Sequence, residues 1–109
     1  GMVYQLTPAL LDAMVLAIAE GEDAYGYMIA QRLRNIASQK ESSLYPVLKR
    51  LLEAGFLETY DQEYQGRNRR YYKITEAGRG QLLFYRKEWD EFKTAADEIL
   101  VGGEEDEQE

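Results

Sequence analysis

A chain of 109 residues, 45% apolar and 30% charged, holds enough apolar side chains for one domain's core and no more. It contains neither Cys nor His, which excludes disulfides, thiolate or imidazole metal sites, and most nucleophile–base pairs. The net charge of −7 is carried by the end of the chain: from Glu88 onward ten acidic residues stand against Lys93 alone, whereas Gln65–Lys73 holds Arg67, Arg69, Arg70 and Lys73 with no acid.

Residues 1–6 read as a lead-in, with Gly1 ahead of Met2 as a cloning remnant. Thr7-Pro8 is a helix start: a hydroxyl at the N-cap, and Pro where its missing N–H costs nothing. Leu11, Met14, Val15, Ile18 and Ala19 then recur at helical spacing up to Gly21. A second helix follows Tyr25-Gly26-Tyr27, with Ile29, Leu33 and Ile36 on one stripe and Gln31, Arg32 and Arg34 on the other face. After a polar link over 38–41, Ser42-Ser43 opens a third helix that ends at Ala54-Gly55, where Gly is the expected residue past the C-cap. Pro46 falls in its first turn, where it is tolerated. Its inward stripe is Leu44, Leu48 and Leu51; Ser42, Tyr45 and Lys49, flanked by Ser43, Pro46 and Arg50, make an outward face that is polar, aromatic and basic together. Such a face suits the major groove of DNA.

From Phe56 the pattern turns to strand through Leu57, Thr59, Tyr60 and Tyr64, and resumes at Tyr71–Ile74. The residues between, Gln65–Arg70, read as the basic tip of a hairpin. Thr75 caps a long fourth helix running towards Leu100 and stopped by Gly102-Gly103. Along it Leu82, Tyr85, Trp89, Phe92, Ala96 and Ile99 keep an alternating spacing of three and four, the seam of a coiled coil, whose economical partner is a second copy of the chain. The apolar runs are interrupted by Asp12, Glu20 and Arg50, so none reaches the roughly 20 residues of a membrane span. With no secretory signal pattern at the start, a cytoplasmic protein is expected.

Three helices followed by a hairpin make a winged helix-turn-helix. The expected class is therefore mainly α (α+β): a winged-helix DNA-binding domain over 7–74, a dimerisation helix over 75–101, and an acidic, solvated tail over 102–109. Contacts to double-stranded DNA are expected from Ser42, Ser43, Tyr45, Pro46, Lys49 and Arg50 on the third helix and from Gly66, Arg67, Arg69 and Arg70 on the wing. No cofactor or metal is called for. An alternative is a winged-helix module that binds protein through its seam helix and acidic tail. An enzyme is disfavoured because no Gly-rich phosphate loop, metal cluster or acid–base pair stands out.

Four segments carry a family resemblance: Tyr25–Ile29, Ser43–Leu51, Glu53–Leu57 and Gly66–Gly78, in this order and at this spacing. They resemble the successive signatures of the PadR family of bacterial transcriptional regulators, over about Leu6 to Leu100. The single seam helix is similar to the shorter PadR subfamily, which includes repressors of multidrug efflux. The resemblance implies a homodimeric winged-helix repressor, bound to a palindromic operator and released by a small aromatic or apolar effector. By the same resemblance, Trp89 stands where drug-sensing relatives stack flat aromatic ligands, with Leu11, Met14, Tyr85 and Phe92 as pocket walls. Asn68 stands where many members carry a basic residue or Pro, which shifts the wing contacts by one residue.

Overall fold

The computed structural model describes residues 3–37 and 40–102. Gly1-Met2, Ser38-Gln39 of the polar link and the acidic segment from Gly103 onward, where the solvated tail is expected, lie outside the described residues. Helices α1 (Pro8–Gly21), α2 (Gly26–Leu33) and α3 (Glu41–Glu53) precede a hairpin of β2 (Leu57–Tyr64) and β3 (Arg67–Ile74), and α4 (Glu76–Leu100) closes the chain. A two-residue strand, β1 (Ala24–Tyr25), pairs with β3, giving an antiparallel sheet in the order β1-β3-β2. The mainly helical winged helix-turn-helix class expected from the sequence is the one observed.

Caps set most boundaries. The Thr7 hydroxyl accepts from Leu10 N–H at 3.2 Å and starts α1. At the end of α3, Gly55 has φ +82°, and the Phe56 N–H reaches back to the Leu51 carbonyl while that of Gly55 reaches Leu52. This is a Schellman ending, whose left-handed residue Gly adopts without a Cβ penalty. Thr75 works in two directions: it accepts from Gly78 N–H at 3.0 Å to cap α4, and donates to the Gly55 carbonyl at 2.6 Å. The end of α3, the root of the hairpin and the start of α4 thus meet at one joint.

The core is a single cluster. Leu16, Ile18, Ile29, Leu33, Leu44, Leu48, Leu51, Leu57, Tyr72, Ile74 and Leu82 bury against one another, with Leu11 and Met14 half-buried at its edge. Leu82 belongs here. Placed by its spacing in the intermolecular seam, it is only 1% exposed within its own chain, because the first two turns of α4 lie against α1. Tyr85 likewise packs partly on this core. Ile36, read as part of the second helix's stripe, sits beyond the end of α2 and is exposed. Beyond Tyr85 the apolar stripe of α4 leaves the body: Trp89 is 43%, Phe92 65% and Ile99 84% exposed. Two ion pairs fasten α1 to its neighbours: Asp12 with Arg50 of α3, and Glu20 with Arg86 of α4 at 2.9 Å.

Candidate nucleic-acid interface

Helix α3 begins at Glu41, one residue ahead of Ser42, so Pro46 lies in its second turn instead of its first. Pro has no N–H to offer the Ser42 carbonyl, which stays without its helical partner on the exposed side. Ser42, Ser43, Tyr45, Pro46 and Lys49 are all exposed on this face, Tyr45 at 62%. Leu44, Val47, Leu48 and Leu51 anchor the opposite face in the core. Arg50 is different. Its guanidinium is held by the Asp12 carboxylate, which ties α3 to α1 and takes this charge out of the outward basic face.

The wing also departs from the expected shape. The strands continue almost to the turn, so the tip is only Gln65-Gly66, and Arg67, Arg69 and Arg70 are residues of β3, not of a loop. Gln65 has φ +53° and Gly66 +78°, both positive, as a two-residue hairpin turn of type I′ requires. Strand alternation then divides the basic residues. Asn68, Arg70 and Tyr72 share one face of the sheet, with Tyr72 and Ile74 buried beneath it; Arg67, Arg69, Tyr71 and Lys73 share the other.

On that second face the register sets Tyr60 opposite Tyr71, Gln62 opposite Arg69 and Tyr64 opposite Arg67, while β1 brings Tyr25 opposite Tyr71. The rings pack: Tyr60 stacks on Tyr71 at 5.5 Å, and Tyr25 meets Tyr71 edge-on at 5.5 Å. The Arg69 guanidinium lies 3.9 Å from the centre of the Tyr25 ring and 4.0 Å from that of Tyr64, and donates to the Tyr71 hydroxyl at 3.5 Å. Arg70 pairs with Asp61 across the strands at 3.6 Å, both being half exposed. Among the described residues Lys49 and Arg67 enter no ion pair.

Between the start of α3 and the wing runs an open cleft of about 380 Å³. Tyr72 and Leu48 form its floor, Tyr25, Gly26 and Tyr45 its walls, and Glu41, Asn68, Arg69 and Arg70 its rim. A hollow drawn from three separate segments between Tyr25 and Tyr72 leaves no local pattern in the sequence. The aromatic ladder and the pairing of Arg50 with Asp12 were invisible for the same reason. Trp89 and Phe92, expected to bind an effector, stand together on α4 with ring centres 6.1 Å apart, far along the helix from the cleft.

A model of the Transcriptional regulator PadR-like family matches residues 15–83. The chain belongs to this family. The PadR match runs from the core of α1 to the buried start of α4, covering α3 and the whole wing, and stops short of the exposed seam. A solved protein of Streptococcus mutans is 46% identical and superposes with a TM-score of 0.87 over 93% of this chain and 95% of its own. A PadR family transcription regulator of Clostridium difficile is 30% identical, with a TM-score of 0.75 over 83% of this chain and 97% of its own. An uncharacterized protein of Lysinibacillus sphaericus is 35% identical over 97 residues, 84% of this chain and 89% of that protein. The fold is also that of Bacillus subtilis PadR, solved in complex with operator DNA, at 24% identity and a TM-score of 0.62 over 69% of this chain and 46% of that one. The relatives with stated roles are transcriptional regulators and not enzymes. No helix among the described residues is long and apolar enough to cross a membrane.

Proposed function

We propose that this PadR protein is a homodimeric, sequence-specific DNA-binding regulator. The observation that carries this reading is the adjacency of two exposed contact surfaces: Ser42, Ser43, Tyr45 and Lys49 on α3, and the wing strand with Asn68 and Arg70 across the cleft and Arg67 beside its turn. Such a pair can lay a helix in the major groove while the wing follows neighbouring phosphates. The operator complex of the Bacillus subtilis relative supports it by analogy of fold. A second copy packed along Trp89, Phe92, Ala96 and Ile99 covers the apolar stripe and sets the two α3 helices about one DNA turn, roughly 34 Å, apart on a palindromic site. An aromatic or apolar effector is assigned to the seam beside Trp89, where it favours one arrangement of the two copies over another and relieves repression. This reading places the protein in the cytoplasm.

The test is fluorescence anisotropy of labelled DNA from upstream of the protein's own gene, against scrambled DNA, at two salt concentrations. Tighter, salt-sensitive binding to the upstream DNA is expected. Equally weak binding to both, in protein freed of any co-purified small molecule, overturns it. That result would favour the protein-interaction module, the reading that the net charge of −7 supports.

A further inference from the structure

We propose that Arg69 is a positioning residue that fastens the wing to the body of the domain, and that the phosphate-facing work of the wing is left to its neighbours. The assignment rests on the DNA-binding reading above for its functional consequence, and on geometry alone for the fastening itself. Of a hairpin of two eight-residue strands, β1 pairs only with the inner part of β3, at Tyr71 and Tyr72. Arg69 stands just past that support. Its guanidinium is flanked by the ring of Tyr25, from the root of α2, and the ring of Tyr64, from the far end of β2, and an N–H goes to the Tyr71 hydroxyl. One side chain thus bridges the fixed edge of the sheet to the strand beside the turn. A guanidinium suits this task because it is flat and its cationic faces attract rings while its edges donate. Arg67, two residues nearer the turn, has no such partners and is exposed; Arg70 faces the cleft side with only a long pair to Asp61.

Three adjacent arginines that look alike in sequence therefore divide their roles, and the division has measurable signs. Amide hydrogen exchange in the free protein reads the fastening, and the salt dependence of binding to DNA of arbitrary sequence counts the phosphates neutralised. Arg69→Gln is expected to speed exchange of the β2–β3 amides by about fivefold to thirtyfold, the factor corresponding to two exposed cation–π contacts, with the core amides of α1 unchanged. DNA affinity falls while the salt slope stays at the wild-type value. Tyr64→Leu, which alters no charge, is expected to reproduce both effects, and Arg69→Lys to restore part of the protection. Arg67→Gln is expected to do the opposite: unchanged exchange and a slope lower by about 0.9. Wing exchange unchanged in Arg69→Gln, or a slope that falls as far as in Arg67→Gln, overturns the proposal. Absence of any salt-dependent DNA binding by the wild type would overturn the DNA-binding reading instead, while the exchange comparison still decides whether Arg69 is a fastener.

Discussion

At Tyr60 a phenol on β2 donates to the Asp23 carboxylate at 2.6 Å, joining the wing to the loop before β1. The hydrogen bond to Asp23 and, after it, desolvation hold the proton on, and the pKa is pushed up to about 12 from the ordinary 10.0. A pKa raised on folding means that the neutral, bonded form is favoured by the native state. Its contribution is complete below pH 10 and is lost as the pH rises towards 12. A tyrosinate absorbance titration should therefore show Tyr60 ionising late, beside Tyr72, which burial also pushes up; Tyr60→Phe removes its share of the late component and Asp23→Asn moves that share back towards the ordinary range. None of this was legible in the sequence, since Tyr60 lies 37 positions from Asp23, as Arg50 lies 38 from Asp12. The outward face of α3 was legible because a helix converts local spacing into a surface, and Lys49 and Tyr45 follow from that rule. Arg69 and Arg50 are expected from the sequence as DNA contacts, but composition shows a charge and not what already surrounds it, here two tyrosine rings and the Asp12 carboxylate.

Elements were readable where they carry local punctuation. Thr7, Gly55 and Thr75 announced three boundaries by the chemistry of caps. The hairpin turn was read too wide because Gln65, in a left-handed conformation, replaces the Asn or Asp that usually signals it. Strand β1, two residues long, has no pattern to offer. At Gly78, in the first turn of α4, a Cβ would come within 2.2 Å of the Phe56 carbonyl oxygen, a backbone atom at the joint that cannot step aside. Two turns would otherwise not fit against one another. Gly78→Ala is expected to destabilise by about 1–3 kcal/mol, the range of overpacked sites. Gly80→Ala, where a Cβ meets nothing within 4 Å, should stabilise by about 0.5–1 kcal/mol. Urea midpoints of the two variants measured side by side check both signs.

Taken whole, the chain is long for its mass. Its radius of gyration is 16.9 Å and its longest extent 65 Å, against about 13 Å for the radius of a compact chain of this length. The excess comes from α4, whose 25 residues rise about 37 Å and outrun the body. A single chain cannot cover Phe92 or Ile99, which is why the seam was visible in the sequence as a repeat without a partner. The proposed dimer predicts that Phe92→Glu, on a residue that touches no core, halves the mass seen by sedimentation to the 12.6 kDa of one chain and leaves the unfolding of the body cooperative. A dimeric Phe92→Glu protein would refute the assigned seam.

Along α4 the attachments are unevenly placed. Thr75, Gly78, Leu82 and Arg86 each engage the body, through the Gly55 carbonyl, Phe56, the core and Glu20 in turn, and α1 passes the grip on to α3 through Asp12 and Arg50. From Trp89 outward, among the described residues, no ion pair or core contact ties it to the body. The helix resembles a crank fixed to its wheel: its first three turns are bound to the body, so in the proposed dimer a swivel applied to the free end is passed to the body that carries α3. In a pair of such cranks, the leverage is already present in the single chain, and a ligand would need only to alter how two handles cross.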